Sequence, residues 1–79
     1  SLHEEAYKKS EKARYLEGVI KSSYALGMGY LSTSNNAKAT NYFYVSMRNA
    51  ESTNDTLGVA SAYLGLGLVM KNKYLTITE

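Results

Sequence analysis

The sequence predicts an all-α chain of antiparallel helix–turn–helix repeats, a fragment of an α-solenoid of about four helices. Three observations predict it. The 79 residues contain no proline, and Ala, Leu and Ser are plentiful, a composition that favours uninterrupted helices over a turn-rich β fold. Two short polar clusters, Ser32–Asn36 and Thr53–Asp55, separate segments whose apolar residues recur at three- and four-residue steps. The chain also matches itself when slid by about 40 residues. A chain this short is at most one small domain, and such a domain buries only about 60% of its unfolded surface.

The helices are expected at about 2–14, 17–32, 36–52 and 56–73. The first carries a thin stripe of Leu2, Ala6, Lys9/Ser10 and Ala13. Its Glu4–Lys8 and Glu5–Lys9 pairs stand in the favourable i,i+4 order, worth a few tenths of a kcal/mol each. Its charge run, Glu4–Arg14, reads as a solvated face. The repeat places a boundary at Arg14–Glu17, yet this stretch holds no Gly, Pro, Asn or Asp. The alternative is a helix running straight through it, which would open the bundle and favour an exchanged dimer.

Val19, Ser23, Leu26, Gly27 and Tyr30 share one face of the second helix. In the turn after it, Asn35 or Asn36 is a ready cap for the third helix. The third helix should turn Ala39, Tyr42, Phe43, Ser46, Met47 and Ala50 inward. Asn54 or Asp55 then caps the fourth, whose inner side is expected at Ala60, Tyr63, Leu64, Gly67 and Met70. Tyr74–Glu79 is β-prone and reads as a frayed end or the start of a further turn.

Several function classes are disfavoured. There is no cysteine, which removes disulfides and a thiolate zinc site and fits a reducing, cytoplasmic compartment, though the parent protein is free to be membrane-associated. A net charge of +2 is too small to argue for nucleic acid, and Glu5 and Glu11 interrupt the basic cluster Lys8–Arg14. The most apolar run, Leu57–Met70, is shorter than the ~20 residues of a membrane span and reads as a buried helix. No catalytic constellation stands out. His3 is the single histidine and reads as a surface residue. Ser22 and Ser23 lack a nucleophile signature, and Gly27-Met28-Gly29 and Gly65-Leu66-Gly67 neither follow a strand nor open a helix as phosphate loops do. The expectation is a non-enzyme with no metal and no cofactor.

In the self-match, Gly18-Val19 falls on Gly58-Val59 and Leu26-Gly27 on Leu66-Gly67, with Ser22 on Ala62. Ala6-Tyr7 falls on Ser46-Met47 and Glu11 on Glu51. The order is half repeat, full repeat, half repeat. The full unit resembles a tetratricopeptide repeat: Leu26-Gly27 match its Leu-Gly pair, Tyr30 its aromatic, Ala39 its first Ala, Phe43 its Phe and Ser46 its second Ala. Ser23 stands where the family has a large residue, Ser34 where it has a second Gly, and Met70 where the second copy should have its aromatic. The period of about 40 residues resembles the longer-helix variants of bacterial signalling and transcription regulators more than the common period of about 34. Mid-helix Gly costs about 0.5–1 kcal/mol against Ala, so Gly27 and its counterpart Gly67 read as packing positions.

The resemblance implies a concave groove lined by the first helix of each repeat. Carried over position by position, the groove residues are Lys21, Tyr24, Met28 and Leu31 from the full repeat and Ser61, Leu64, Leu68 and Lys71 from the second copy. Tyr24 and Met28 stand where carboxylate-clamping members have Lys and Asn, so an apolar helix or extended peptide is the implied guest. The implied function is a protein- or peptide-binding scaffold within a larger regulator, with a structural or dimerisation segment as the alternative. In that second reading Tyr24, Met28, Leu64 and Leu68 simply pack together, and the unpaired end helices find cover in a homo-oligomer. The expected partner is a protein or peptide, with no nucleic acid and no membrane.

Overall fold

The computed structural model describes residues 2–78 and is helical apart from two short turns. Its elements are α1 (Leu2–Ser32), α2 (Asn36–Ser52) and α3 (Thr56–Thr78). They form an antiparallel up-down-up layer in which α2 packs against both neighbours. The chain measures 61 × 18 × 13 Å. Its Cα radius of gyration, 15.3 Å, exceeds the roughly 12 Å of a compact chain of this length.

The elongation comes from α1. The boundary expected at Arg14–Glu17 is absent, and the helices expected at 2–14 and 17–32 are one helix of 31 residues. Arg, Tyr, Leu and Glu are all tolerated in a helix interior, and nothing in the stretch supplies a C-cap or the left-handed backbone of a turn. Glu17 instead pairs with Lys21 across one turn at 3.0 Å. Three helices, not four, therefore span the described residues. α3 likewise passes the expected end at Lys73 and continues to Thr78. The β-branched Thr76, Ile77 and Thr78 lower helix propensity by only tenths of a kcal/mol each. Glu79 lies outside the described residues.

The two turns are the same device used twice. In Ser32-Thr33-Ser34-Asn35 the Asn35 N–H donates to Tyr30 O at 2.9 Å and the Ser34 N–H to Leu31 O at 3.0 Å. In Ser52-Thr53-Asn54-Asp55 the Asp55 N–H donates to Ala50 O at 2.8 Å and the Asn54 N–H to Glu51 O at 3.2 Å. Ser34 and Asn54 carry the left-handed backbone, with φ of 61° and 55°. This is the Schellman closure of a helix end. Its last residue then opens the next helix: Asn35 Oδ1 accepts from the Lys38 N–H at 3.3 Å, and Asp55 Oδ1 from the Gly58 N–H at 2.9 Å.

The core is small and centred on α2. Ile20, Ala39, Phe43, Ala50, Ala62 and Val69 are its buried apolar residues, and the inner face expected for α2 is the buried one, with Tyr42 and Met47 half-buried at its edges. Ser23 and Ser46 are also buried and keep their hydroxyls satisfied. Ser23 Oγ donates to Val19 O at 2.6 Å, and Ser46 Oγ donates across helices to Ile20 O at 3.0 Å. On the flank, the Tyr30 and Tyr42 rings stack at 5.6 Å, with Lys38 Nζ 5.2 Å from the Tyr30 centroid.

The inner face expected for the last helix is corrected. Tyr63, Leu64 and Met70 are 60, 62 and 72% exposed, and Ala60 and Gly67 are exposed too. α3 packs through Gly58, Val59, Ala62, Gly65, Leu66 and Val69 instead. The self-match equates α3 with the C-terminal half of α1, and such a helix has two sides. α1 uses the Ser23/Gly27 side to meet α2, whereas α3 meets α2 with its other side. For the same reason Gly67 has nothing within 4 Å of where a Cβ would sit, and the glycine pressed on Phe43 is Gly65. On α1, Leu26 was expected inside and is 46% exposed.

Candidate functional site

α1 and α3 run parallel on either side of α2, and a seam opens between them. Phe43 backs its middle. Its ring lies against Gly27 and Gly65 and 5.8 Å from the Tyr24 ring, tilted by 55°. Ring, glycines and Tyr24 let three helix backbones approach at one height. The seam gapes on either side of that point. One opening, about 190 Å³, is walled by Ile20, Lys21 and Tyr24 of α1 and by Asp55, Leu57, Gly58 and Ser61 near the start of α3, with Ser46 behind. The other, about 240 Å³, is walled by Leu31 and by Leu68, Lys71, Asn72 and Leu75.

The structure thus places Lys21, Tyr24 and Ser61 around the first opening and Leu31, Leu68 and Lys71 around the second. Met28 sits between them, partly buried against the Ala39, Phe43 and Val69 cluster together with Tyr24 and Leu31. Leu64 is not brought to either opening: at its height the seam is closed by the neighbouring Gly65 against Phe43, and Leu64 points out from α3. Leu57, 78% exposed, and Asp55 were missed by sequence reasoning. Both lie at the start of α3; Leu57 opens the apolar run Leu57–Met70, and neither falls on a position that the resemblance assigns to the groove. The groove walls are mostly apolar, with one lysine at each end.

A second, larger concavity lies on the back of the sheet of helices. Arg14, Tyr15, Gly18, Val19, Ser22 and Leu26 of α1, with Tyr42 and Val45 of α2, enclose about 530 Å³. A further opening of about 320 Å³ continues it along α1 past Ala25 and Gly29 to Thr33. Sequence reasoning missed this trough, although the Gly18-Val19 match to Gly58-Val59 was its signature.

Among the described residues no group of three or more His, Cys, Asp or Glu side chains is placed to hold a metal ion, and His3 is exposed on the free half of α1. No helix among the described residues is long and apolar enough to cross a membrane. Comparison with family models, with curated proteins and with solved structures finds no match.

Proposed function

We propose that the chain is a non-catalytic scaffold module that binds a protein or peptide along the α1–α3 seam, within a larger regulator of the bacterial signalling or transcription type. The observation that carries this reading is the pair of openings on either side of Phe43, apolar in their walls and ended by Lys21 and Lys71. Such a strip suits an apolar helix or extended segment; an acidic flank is matched at the Lys71 end, whereas Lys21 is already paired with Glu17 and shares its opening with Asp55. The tetratricopeptide-like layout supports it further: α1, α2 and α3 follow one another as first, second and next-first helices do in that family, with Gly27, Ala39 and Phe43 at the family's packing positions.

The test is a displayed library of apolar peptides, with and without acidic flanks, selected on the purified chain and counter-screened on a Leu57→Lys/Leu68→Lys variant. Leu57 is exposed and Leu68 half-buried at the rims, so helix content should survive the change. Enriched peptides should lose at least tenfold in affinity on the variant. A selection that enriches nothing, or peptides that bind both proteins equally, overturns the groove reading.

The alternative, a dimerisation segment, is favoured by a different observation: every residue from Leu2 to Tyr15 is exposed. A long helical arm with nothing on it gains no stability from packing, which is where most helical stability comes from.

A further inference from the structure

Helix α3 is apolar or small nearly all round from Leu57 to Met70, the pattern of a helix buried on every side. In the single chain α2 covers one side of it, at Ala62, Gly65 and Val69. The opposite side is bare. There Thr56, Ala60, Tyr63, Gly67, Met70 and Tyr74 stand at alternating steps of four and three, and all six are exposed. That spacing puts them on one stripe, and it is the spacing by which two helices interlock side chains along their length. Leu64, 62% exposed, flanks the stripe at its middle.

We propose that this stripe is the contact between two copies of the chain, α3 of one lying antiparallel on α3 of the other. The stripe is complementary to itself in that direction and in one register. Tyr63 meets Gly67 of the second copy, Met70 meets Ala60, and Tyr74 meets Thr56, so every large side chain falls on a small one. The three pairs share one centre, level with Gly65. A two-fold rotation therefore makes each pair twice, and the contact closes as a dimer. Leu64 meets its own counterpart beside the axis. Parallel helices would instead set Tyr63 on Tyr63 and leave a gap at Gly67.

Charge selects the same direction. The charged residues of α3 are Lys71 and Lys73, both towards its C-terminal end. The antiparallel register holds the two copies of Lys71 about 18 Å apart along the helix axis, beyond the screening length of about 8–10 Å. It also brings Lys73 level with Asp55 in the turn of the second copy. A parallel pair would stack the lysines. Gly67 finds its reason here too. Gly is costly inside a helix, nothing lies within 4 Å of its absent Cβ in the single chain, and the Tyr63 ring of a second copy needs that space. Tyr63, Met70 and Tyr74 are 60, 72 and 67% exposed, and covering them with Leu64 makes a contact of about 1,000 Å² in total, the lower bound of a specific interface. The α1–α3 seam stays open, because Ser61, Leu68 and Asn72 wall it from another side of α3, and the free arm takes no part.

Sedimentation of the whole chain should give one chain mass when dilute, where Gly67 is bare, and twice that mass at high micromolar concentration, with no further growth. Met70→Glu and Ala60→Lys fall on exposed sites and should each stay helical. Each alone should weaken the dimer by about tenfold or more, because a lone charge is costly in an apolar contact. An equimolar mixture of the two should restore it, since the antiparallel register pairs the new lysine of one chain with the new glutamate of the other and keeps one native Met70–Ala60 pair. Leu2→Lys/Ala6→Lys, on the free arm, should leave the dimer unchanged. A wild-type chain that stays monomeric overturns the proposal and leaves the stripe to a different partner. Growth past the dimer, a Met70→Glu dimer as tight as wild type, or a mixture that stays monomeric also overturns it. So does loss of the dimer in Leu2→Lys/Ala6→Lys, which would place the contact on the arm.

Discussion

Gly27 of α1 and Gly65 of α3 face the same edge of one ring: a Cβ on Gly27 would lie 2.7 Å from Phe43 Cε1, and a Cβ on Gly65 2.5 Å from the same atom. The ring is fully buried and has α1 on one side and α3 on the other. Two glycines from different helices thus set the spacing of all three.

Gly27→Ala and Gly65→Ala should each destabilise the chain by about 1–2 kcal/mol. Overpacking costs about 1–3 kcal/mol, and the better helix propensity of Ala returns up to about 1 kcal/mol. Gly67→Ala is the control of opposite sign. It meets nothing and should stabilise by about 0.5–1 kcal/mol. Urea titration followed by circular dichroism checks all three, and equal effects at Gly65 and Gly67 would contradict the assigned faces of α3.

Phe43→Ala should leave the chain largely unfolded at room temperature. Emptying a buried Phe site costs about 3–5 kcal/mol, while a chain of this size has about 4–12 kcal/mol in total and sits at the low end with so small a core. Phe43→Leu keeps much of the volume and should fold with a lowered midpoint. A thermal melt at 222 nm separates the outcomes.

Ser34→Gly should stabilise by about 0.5–1 kcal/mol. Ser34 holds φ at 61°, a backbone region that strains side chains and suits Gly at this position of a helix end. Asn54→Gly, at φ 55°, should gain less, because Asn tolerates the left-handed region better than Ser. Chemical denaturation midpoints with unchanged m-values check the pair.

The α2 face was legible because α2 alternates strongly: Ala39, Phe43, Ser46 and Ala50 at three- and four-residue steps stand among Lys38, Asn41, Arg48 and Glu51. α3 gave no such phase. Leu57–Met70 is apolar or small nearly all round, so periodicity cannot say which side is inside, and the repeat pointed to the side by which α1 meets α2. At Arg14–Glu17 the repeat and local propensity disagreed, and propensity won because no residue there stops a helix. Of the groove, the α1 residues Lys21, Tyr24, Met28 and Leu31 came only from the resemblance, carried over position by position, whereas Leu57 and Asp55 fall on positions that the resemblance does not assign to a groove. The trough was invisible to any reading that assumed a turn at Arg14.

Gly58 and Asp55 should be energetically coupled. Asp55 caps α3 by accepting from the Gly58 N–H at 2.9 Å, and a Cβ on Gly58 would lie 2.5 Å from Asp55 Oδ2 and 3.0 Å from Ala50 Cβ. Asp55→Ala alone loses the cap, about 0.5–2 kcal/mol. Gly58→Ala alone drives the carboxylate from its capping position and also presses on Ala50, so it carries the cap loss plus a packing cost. Once Asp55 is Ala, the cap is already gone and only the Ala50 contact opposes the new methyl, partly offset by helix propensity. The double variant should therefore be less unstable than the two singles added together, by about 0.5–1.5 kcal/mol. A double-mutant cycle by urea denaturation measures this directly. Additive effects would mean that the Asp55 side chain does not hold the capping position beside Gly58.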